Sequence, residues 1–150
     1  MHNNLVYPLL RRFTSQGWVR KKAVPGKRGQ TRQQYALTTK GRGQLIERLT
    51  EYSDQDARSP YAFSARVGMF ELLRPETRLA ILAKREMQVQ AREKRLAILK
   101  ANLNVGTYGG EVVRFFSEQA QAELAWIARL RRMQKNKARD EHHSAASSME

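Results

Sequence analysis

The sequence predicts a mainly α fold: a partial winged helix-turn-helix, consisting of a recognition helix and a two-stranded wing, followed by a long antiparallel helix hairpin. Two observations predict it. A β-hairpin pattern lies between two short helical patterns near the N-terminus, and two long, helix-periodic stretches follow it. With 150 residues, the chain has room for about one domain, or for a small domain with a helical appendage.

The first helix is predicted over residues 5–16, where apolar residues recur at i, i+4 spacing. Pro8 is compatible only with a position near the first turn, and Gly17 is suited to end the helix. The face opposite the apolar stripe is polar and basic. It is narrow enough to enter a groove.

Two strands are predicted next, at 18–24 and 31–37, around a turn rich in glycine and basic residues. Because a two-stranded ribbon is marginal alone, it must pack on a helix. Thr38 or Thr39 is suited to cap the following helix, which continues to about Tyr52. Helix, glycine, strand, basic turn, strand and helix form the second half of a winged helix.

Two long helices follow, the first without glycine or proline from Glu76 to about Leu103. Apolar residues recur along it every seven positions, at Leu82, Val89, Leu96 and Leu103. This spacing is typical of an apolar stripe that packs against another helix. A glycine-rich break at 104–110 separates it from a second helix, and the two should form an antiparallel hairpin. The seam predicted on the second helix consists of Val112, Phe116, Gln119, Glu123, Trp126, Leu130 and Met133.

These patterns divide the chain into four segments: a partial winged-helix domain at 1–52, a linker at 53–60, a C-terminal helical domain at 61–135 and a disordered tail at 136–150. The linker assignment depends on its polar composition and its proline. The tail assignment depends on its loss of apolar periodicity and its charge.

Charge is the strongest bulk property of the chain. Lys and Arg number 28 against 14 Asp and Glu, a formal net charge of +14. Residues 1–48 contain eleven basic side chains and one acidic side chain, Glu47. This asymmetry predicts that the N-terminal third binds a polyanion, of which nucleic acid is the commonest.

The sequence gives little support for a disulfide-bonded protein, a membrane protein or an enzyme. The absence of cysteine excludes disulfides and thiolate sites, and no apolar run is long enough for a membrane span, so we expect a cytoplasmic protein. The histidines, His2, His142 and His143, lie at the chain ends, where no rigid element orients them. We expect no catalytic residue, no metal site, no cofactor and no enzymatic activity.

The chain resembles the PadR-type transcriptional regulators in three segments that occur in order: Leu-Val-Tyr-Pro-Leu-Leu-Arg-Arg-Phe at 5–13, Gly-Trp-Val at 17–19 and Gln-Tyr-Ala-Leu-Thr-Thr-Lys-Gly at 34–41. The long helix pair is similar to the extended, virulence-activator-like C-terminal domain of one branch of that family. The resemblance implies a dimeric repressor whose DNA affinity responds to a signal. Because the family's winged helix begins with two further helices, we expect the reading frame to continue upstream of Met1.

The resemblance also implies which residues touch DNA, with the first helix in the major groove and the basic wing on the backbone. The alternative for the helix is a partly buried tyrosine and a solvated arginine, and for the wing a solvated loop. The residues assigned to DNA are Asn3, Asn4, Tyr7, Pro8, Arg11, Arg12, Lys27, Arg28 and Arg32.

A homodimer is expected through the C-terminal helices, with Phe115, Trp126 and Ile127 on a flank available to a second copy. The residues assigned to dimerisation are Leu82, Val89, Leu96, Leu103 and Trp126. Trp126 with Phe115 and Phe116 is either core, dimer seam or the lining of a pocket for a small aromatic effector. The alternative function is a basic helical module for protein association or nonspecific RNA binding.

Overall fold

The computed structural model describes residues 6–26, 30–102 and 106–147, with side chains as far as Asn136. The chain divides into two compact units, residues 1–51 and 52–150. The described elements are α1 (Val6–Ser15), β1 (Val19–Pro25), β2 (Thr31–Leu37), α2 (Thr39–Thr50), α3 (Asp54–Arg58), α4 (Pro60–Val67), a 3-10 turn (Phe70–Leu72), α5 (Pro75–Asn102) and α6 (Thr107–Ser147).

The N-terminal unit confirms the predicted helix, ribbon and helix. Strands β1 and β2 are antiparallel, with Val19 opposite Leu37 and Pro25 opposite Thr31. Helix α1 ends because Gly17 adopts a positive φ of 71°, a conformation that glycine enters without a Cβ penalty.

The second unit contains the predicted antiparallel hairpin of α5 and α6. Arg78 Nη1 near the start of α5 donates to Gln134 Oε1 at 3.0 Å, and Arg85 further along pairs with Glu123. The largest apolar side chains that are fully buried there are Phe63, Ile81, Leu82, Val89 and Ile127. No helix within the described ranges is both long and apolar enough to cross a membrane.

Arg85 carries a positive charge into this core with only 2% of its surface exposed. Its Nε and Nη2 donate to the two carboxylate oxygens of Glu123 at 2.7 and 2.8 Å, and its Nη1 donates to the Ala57 carbonyl at 2.7 Å. The guanidinium carbon lies 5.8 Å from the centre of the Phe63 ring. One side chain therefore ties α3, α5 and α6 together with its hydrogen bonds satisfied.

Tyr52 lies beside Arg66, and the centre of its ring is 4.8 Å from the guanidinium carbon of that arginine. Burial raises the pKa of the Tyr52 phenol to about 12, although the positive charges of Arg85 and Arg66 oppose the shift. Tyr52 therefore stays neutral in the folded protein at physiological pH.

The predicted linker at 53–60 instead contains helix α3 and the start of α4. Its serines are helix caps: Ser53 Oγ accepts from the Asp56 amide at 3.0 Å, and Ser59 Oγ accepts from the Ala62 amide at 3.2 Å. Ala57 is fully buried within the second unit. The polar composition that suggested a linker reflects two consecutive N-caps.

The limits of α6 also differ from the prediction. The helix begins at Thr107, inside the expected glycine-rich break, and includes Gly109 and Gly110. It continues through Ser147, so the expected disordered tail is helical over residues 136–147. That stretch contains no glycine or proline and is rich in alanine and charged helix formers, which do not need an apolar stripe to be helical.

The seam of α6 is rotated relative to the predicted one. The buried residues are Val113, Ala120, Ile127 and Leu130. Val112, Phe116 and Met133, which we expected in the seam, are exposed. The predicted seam was drawn through large side chains and did not include the small Ala120, which is fully buried.

Candidate nucleic-acid interface

A junction at Thr38 holds α1, the ribbon and α2 in one arrangement. The Thr38 amide donates to the Trp18 carbonyl at 3.0 Å, and its Oγ1 donates to the Gly17 carbonyl at 2.7 Å. The same Oγ1 accepts from the Gly41 amide at 3.0 Å, which caps α2. The Trp18 ring packs on Phe13 of α1 with centroids 5.6 Å apart. The end of α1 and the start of α2 are therefore fixed against the ribbon.

Helix α1 presents a polar face to solvent. Tyr7, Pro8 and Arg11 are exposed, as the sequence predicted for a groove-contacting helix. At 100° per residue, Tyr7, Arg11 and Thr14 lie on the side opposite Leu9. The other two residues assigned to this helix's contacts, Asn3 and Asn4, lie outside the described residues.

Arg12 lies on a different side of α1 from Arg11. It borders an apolar cleft of about 380 Å³, whose lining also includes Leu9, Phe13, Trp18 and Leu45. Leu9 is 47% exposed there, and Phe13 is half-buried. Arg11 and Arg12 are therefore not equivalent positions for a groove contact.

The wing has one basic face. Because strand side chains alternate and partners in register share a face, Arg20, Lys22 and Arg32 project from the same side of the ribbon. All three are exposed. The opposite side includes Val19, which is buried. Lys27 and Arg28, assigned to the turn, lie outside the described residues.

The positive charges of this surface have few carboxylates near them. Residues 1–51 contain eleven basic side chains and two acidic ones, and none of the ion pairs within the described ranges involves a basic residue of α1, β1 or β2. Glu47 accepts from Gln44 Nε2 at 2.7 Å, and Arg48 lies 5.8 Å from the centre of the Trp18 ring. The N-terminal unit therefore has a strongly positive net charge, which attracts polyanions.

The residues assigned to DNA from the sequence did not include Arg20 or Lys22. The sequence alone could have grouped Arg20 with Lys22, because side chains two residues apart on a strand lie on the same face. The register was needed to relate this pair to Arg32 across the ribbon.

Several residues assigned to dimerisation pack inside the single chain. Leu82 and Val89 are buried in the hairpin, and the same is true of Ile127. Trp126 is half-buried and packs edge-on against Phe63 of its own chain, with ring centroids 5.3 Å apart. Leu82 and Val89 of the heptad stripe therefore contribute to intrachain packing.

The remaining assignments have separate outcomes. Leu96 is half-buried, and Leu103 lies outside the described residues.

In the part of the chain that the structure describes, no group of three or more His, Cys, Asp or Glu residues is placed to hold a metal ion.

Comparison with known proteins bears on the N-terminal unit. Residues 1–47 match the transcriptional regulator PadR-like family. No curated protein matches the chain. Among solved structures, Bacillus subtilis PadR in complex with operator DNA is similar at 15% identity and a TM-score of 0.44, over 89% of this chain and 80% of that chain. The similarity to the transcriptional regulator PadR-like family thus covers residues 1–47, the helix, ribbon and helix of the N-terminal unit.

Proposed function

We propose that this regulator binds duplex DNA as a homodimer and represses transcription, with α1 in the major groove and the basic face of the ribbon on the phosphate backbone. In this proposal Lys27 and Arg28 also contact the phosphate backbone. Tyr7 and Arg11 contact the groove, and Pro8, Asn3 and Asn4 are further candidates for DNA contact.

The observation that carries the proposal is the alignment of Arg20, Lys22 and Arg32 on one exposed face of a ribbon that is fixed to α1. Guanidinium and ammonium groups bind phosphate oxygens, and such bonds position a protein on DNA without reading its sequence. A helix held rigidly beside them can present an arginine to guanine at the same time.

Neutralising the basic face should weaken binding to all duplexes by a similar factor. For the triple variant Arg20→Gln, Lys22→Gln and Arg32→Gln, we expect the slope of log affinity against log salt to become shallower by about 0.9 for each phosphate that the protein no longer neutralises. Titrations of a matched and a scrambled duplex at several salt concentrations measure this. Arg129→Gln, which removes an exposed positive charge from α6, is the control.

Arg11→Ala tests the helix in the same assay. It should reduce the ratio of specific to scrambled binding by about fivefold or more, because a bidentate contact to guanine discriminates by roughly 1–3 kcal/mol. If the ribbon variant loses only specific binding, or Arg11→Ala weakens both duplexes equally, the two roles are wrongly assigned.

The dimer is proposed to form at the tip of the hairpin, because Leu82 and Val89 of the heptad stripe are buried within the chain. Large apolar side chains remain exposed on both helices near that end. They are Ile98, Leu99, Tyr108, Val112, Phe115 and Phe116. Two recognition helices related by a two-fold axis would match a symmetric operator.

Substituting Phe115→Glu together with Phe116→Glu should convert the dimer to a monomer with its helices intact. The two rings pack on each other with centroids 5.4 Å apart and are about half exposed in one chain, so their loss removes little intrachain packing. Sedimentation and circular dichroism measure the two properties, with Met87→Glu, at an exposed position in the middle of α5, as the control. A wild-type monomer at micromolar concentration would contradict the dimer and the paired half-sites.

A small aromatic effector is part of the same proposal. A cleft of about 620 Å³ in the second unit is lined by Tyr61, Ser64, Gln119 and Trp126, among others. Its aromatic and polar lining suits a flat ligand with polar substituents. Trp126 and Tyr61 both line this cleft, whereas the sequence analysis grouped Trp126 with Phe115 and Phe116.

The alternative function, a basic module for protein association or nonspecific RNA binding, makes a different prediction in the same titrations. Such a module would bind single-stranded RNA as tightly as any duplex, whereas an operator reader prefers one duplex.

A further inference from the structure

Four arginines surround a small cavity in the second unit. The cavity measures about 140 Å³ and is lined by Arg58, Arg85, Gln88, Val89, Arg92 and Arg95. It lies where α3 meets the middle of α5. Four guanidinium groups around one cavity make it strongly positive, which favours an anionic ligand.

The nearest carboxylate is already engaged. Both oxygens of Glu123 accept hydrogen bonds from Arg85. Arg92 Nη2 lies 3.9 Å from Glu123 Oε2, which is too long for a hydrogen bond. The Arg92 Nε is buried and has no hydrogen-bond partner among the described residues. Arg92 is therefore a cation with an unsatisfied donor at the cavity.

The carboxylates of α3 are also committed to other partners. Asp54 Oδ1 pairs with Lys84 Nζ at 2.8 Å, and Asp56 Oδ2 pairs with Arg66 Nη2 at 2.9 Å. Arg58 and Arg95 are exposed, and no ion pair within the described ranges includes either of them. Three guanidinium groups thus border the cavity without a hydrogen-bonded carboxylate.

We propose that this cavity binds a phosphate group, either as inorganic phosphate or as the phosphomonoester of a small metabolite. Guanidinium forks match the oxygens of phosphate, and several of them suit a dianion better than a singly charged carboxylate. The Gln88 amide adds a neutral donor at the wall. The volume exceeds that of a few water molecules, so a tetrahedral anion has room.

The residues of this site all belong to the second unit, whereas those of the proposed DNA surface belong to the first, so its test does not depend on operator binding. Isothermal titration calorimetry of the full chain with inorganic phosphate, and separately with ribose 5-phosphate, should show saturable binding. Sodium acetate at matched ionic strength should show none. A larger heat and tighter binding for the sugar phosphate would identify a metabolite site; equal affinity would identify inorganic phosphate as sufficient.

Arg92→Gln should weaken phosphate binding by about tenfold or more, because it removes a charge-assisted hydrogen bond. The double variant Arg58→Gln with Arg95→Gln should weaken it similarly and changes only exposed side chains, so it remains informative if Arg92→Gln is poorly folded. Arg129→Gln is the matched control and should bind like the wild type.

Two results would overturn the proposal. One is the absence of saturable binding to both phosphate ligands. The other is a double variant that binds phosphate like Arg129→Gln. If that variant instead loses only duplex DNA affinity while phosphate gives no heat, the arginines contact the DNA backbone and the small-ligand site is refuted.

Discussion

Replacing Gly41 with valine should unfold the N-terminal unit and abolish DNA binding. A Cβ at Gly41 would lie 1.9 Å from the Trp18 carbonyl oxygen and 2.6 Å from its carbon. Both are backbone atoms, so the start of α2 would have to move away from the ribbon and break the Thr38 junction. We expect a loss of about 3 kcal/mol or more in the free energy of unfolding, at the upper end for an overpacked site. A small unit has little stability to spare.

Gly43→Ala is a matched control in the same helix. A Cβ there meets no atom within 4 Å, so alanine should stabilise α2 by about 0.5–1 kcal/mol. Urea unfolding followed by Trp18 fluorescence, in a Trp126→Phe background, reports on the N-terminal unit alone. Wild-type stability and DNA affinity in Gly41→Val would show that the close approach to Trp18 is not required.

The N-terminal unit could be predicted from sequence because its signals are local. Gly17 marks the end of α1 and Thr38 the cap of α2, and each acts within a few residues. The ribbon limits follow from the turn between Pro25 and Thr31. The basic face of the ribbon could be assigned only once the strand register was known, because Arg32 lies on β2 whereas Arg20 and Lys22 lie on β1.

The packing of the second unit could not be predicted in full, because it depends on contacts that the spacing of residues in the sequence does not encode. A heptad stripe predicts that Leu82 and Val89 pack against a helix, but not whether that helix belongs to the same chain. The partner is α6, which leaves the exposed apolar residues at the hairpin tip. Arg85 and Glu123 are 38 residues apart, and neither lies in a motif that identifies the other.

Glu123→Ala should be the most damaging single substitution in the second unit. It leaves the Arg85 guanidinium buried at 2% exposure with two of its three hydrogen bonds removed. Removing one partner of a buried pair typically costs about 3–5 kcal/mol, because the remaining charge loses its compensation.

Thermal unfolding of the hairpin by circular dichroism measures this loss, and Glu111→Ala supplies the comparison. Glu111 pairs with Arg114 on the exposed surface of α6, where solvent screens both charges, so stability should change little. The double variant Arg85→Met with Glu123→Leu should recover much of the lost stability, because apolar side chains of similar size replace both charges together. Equal destabilisation by Glu123→Ala and by the double variant would mean that the packing of these side chains, rather than the uncompensated charge of Arg85, determines the effect.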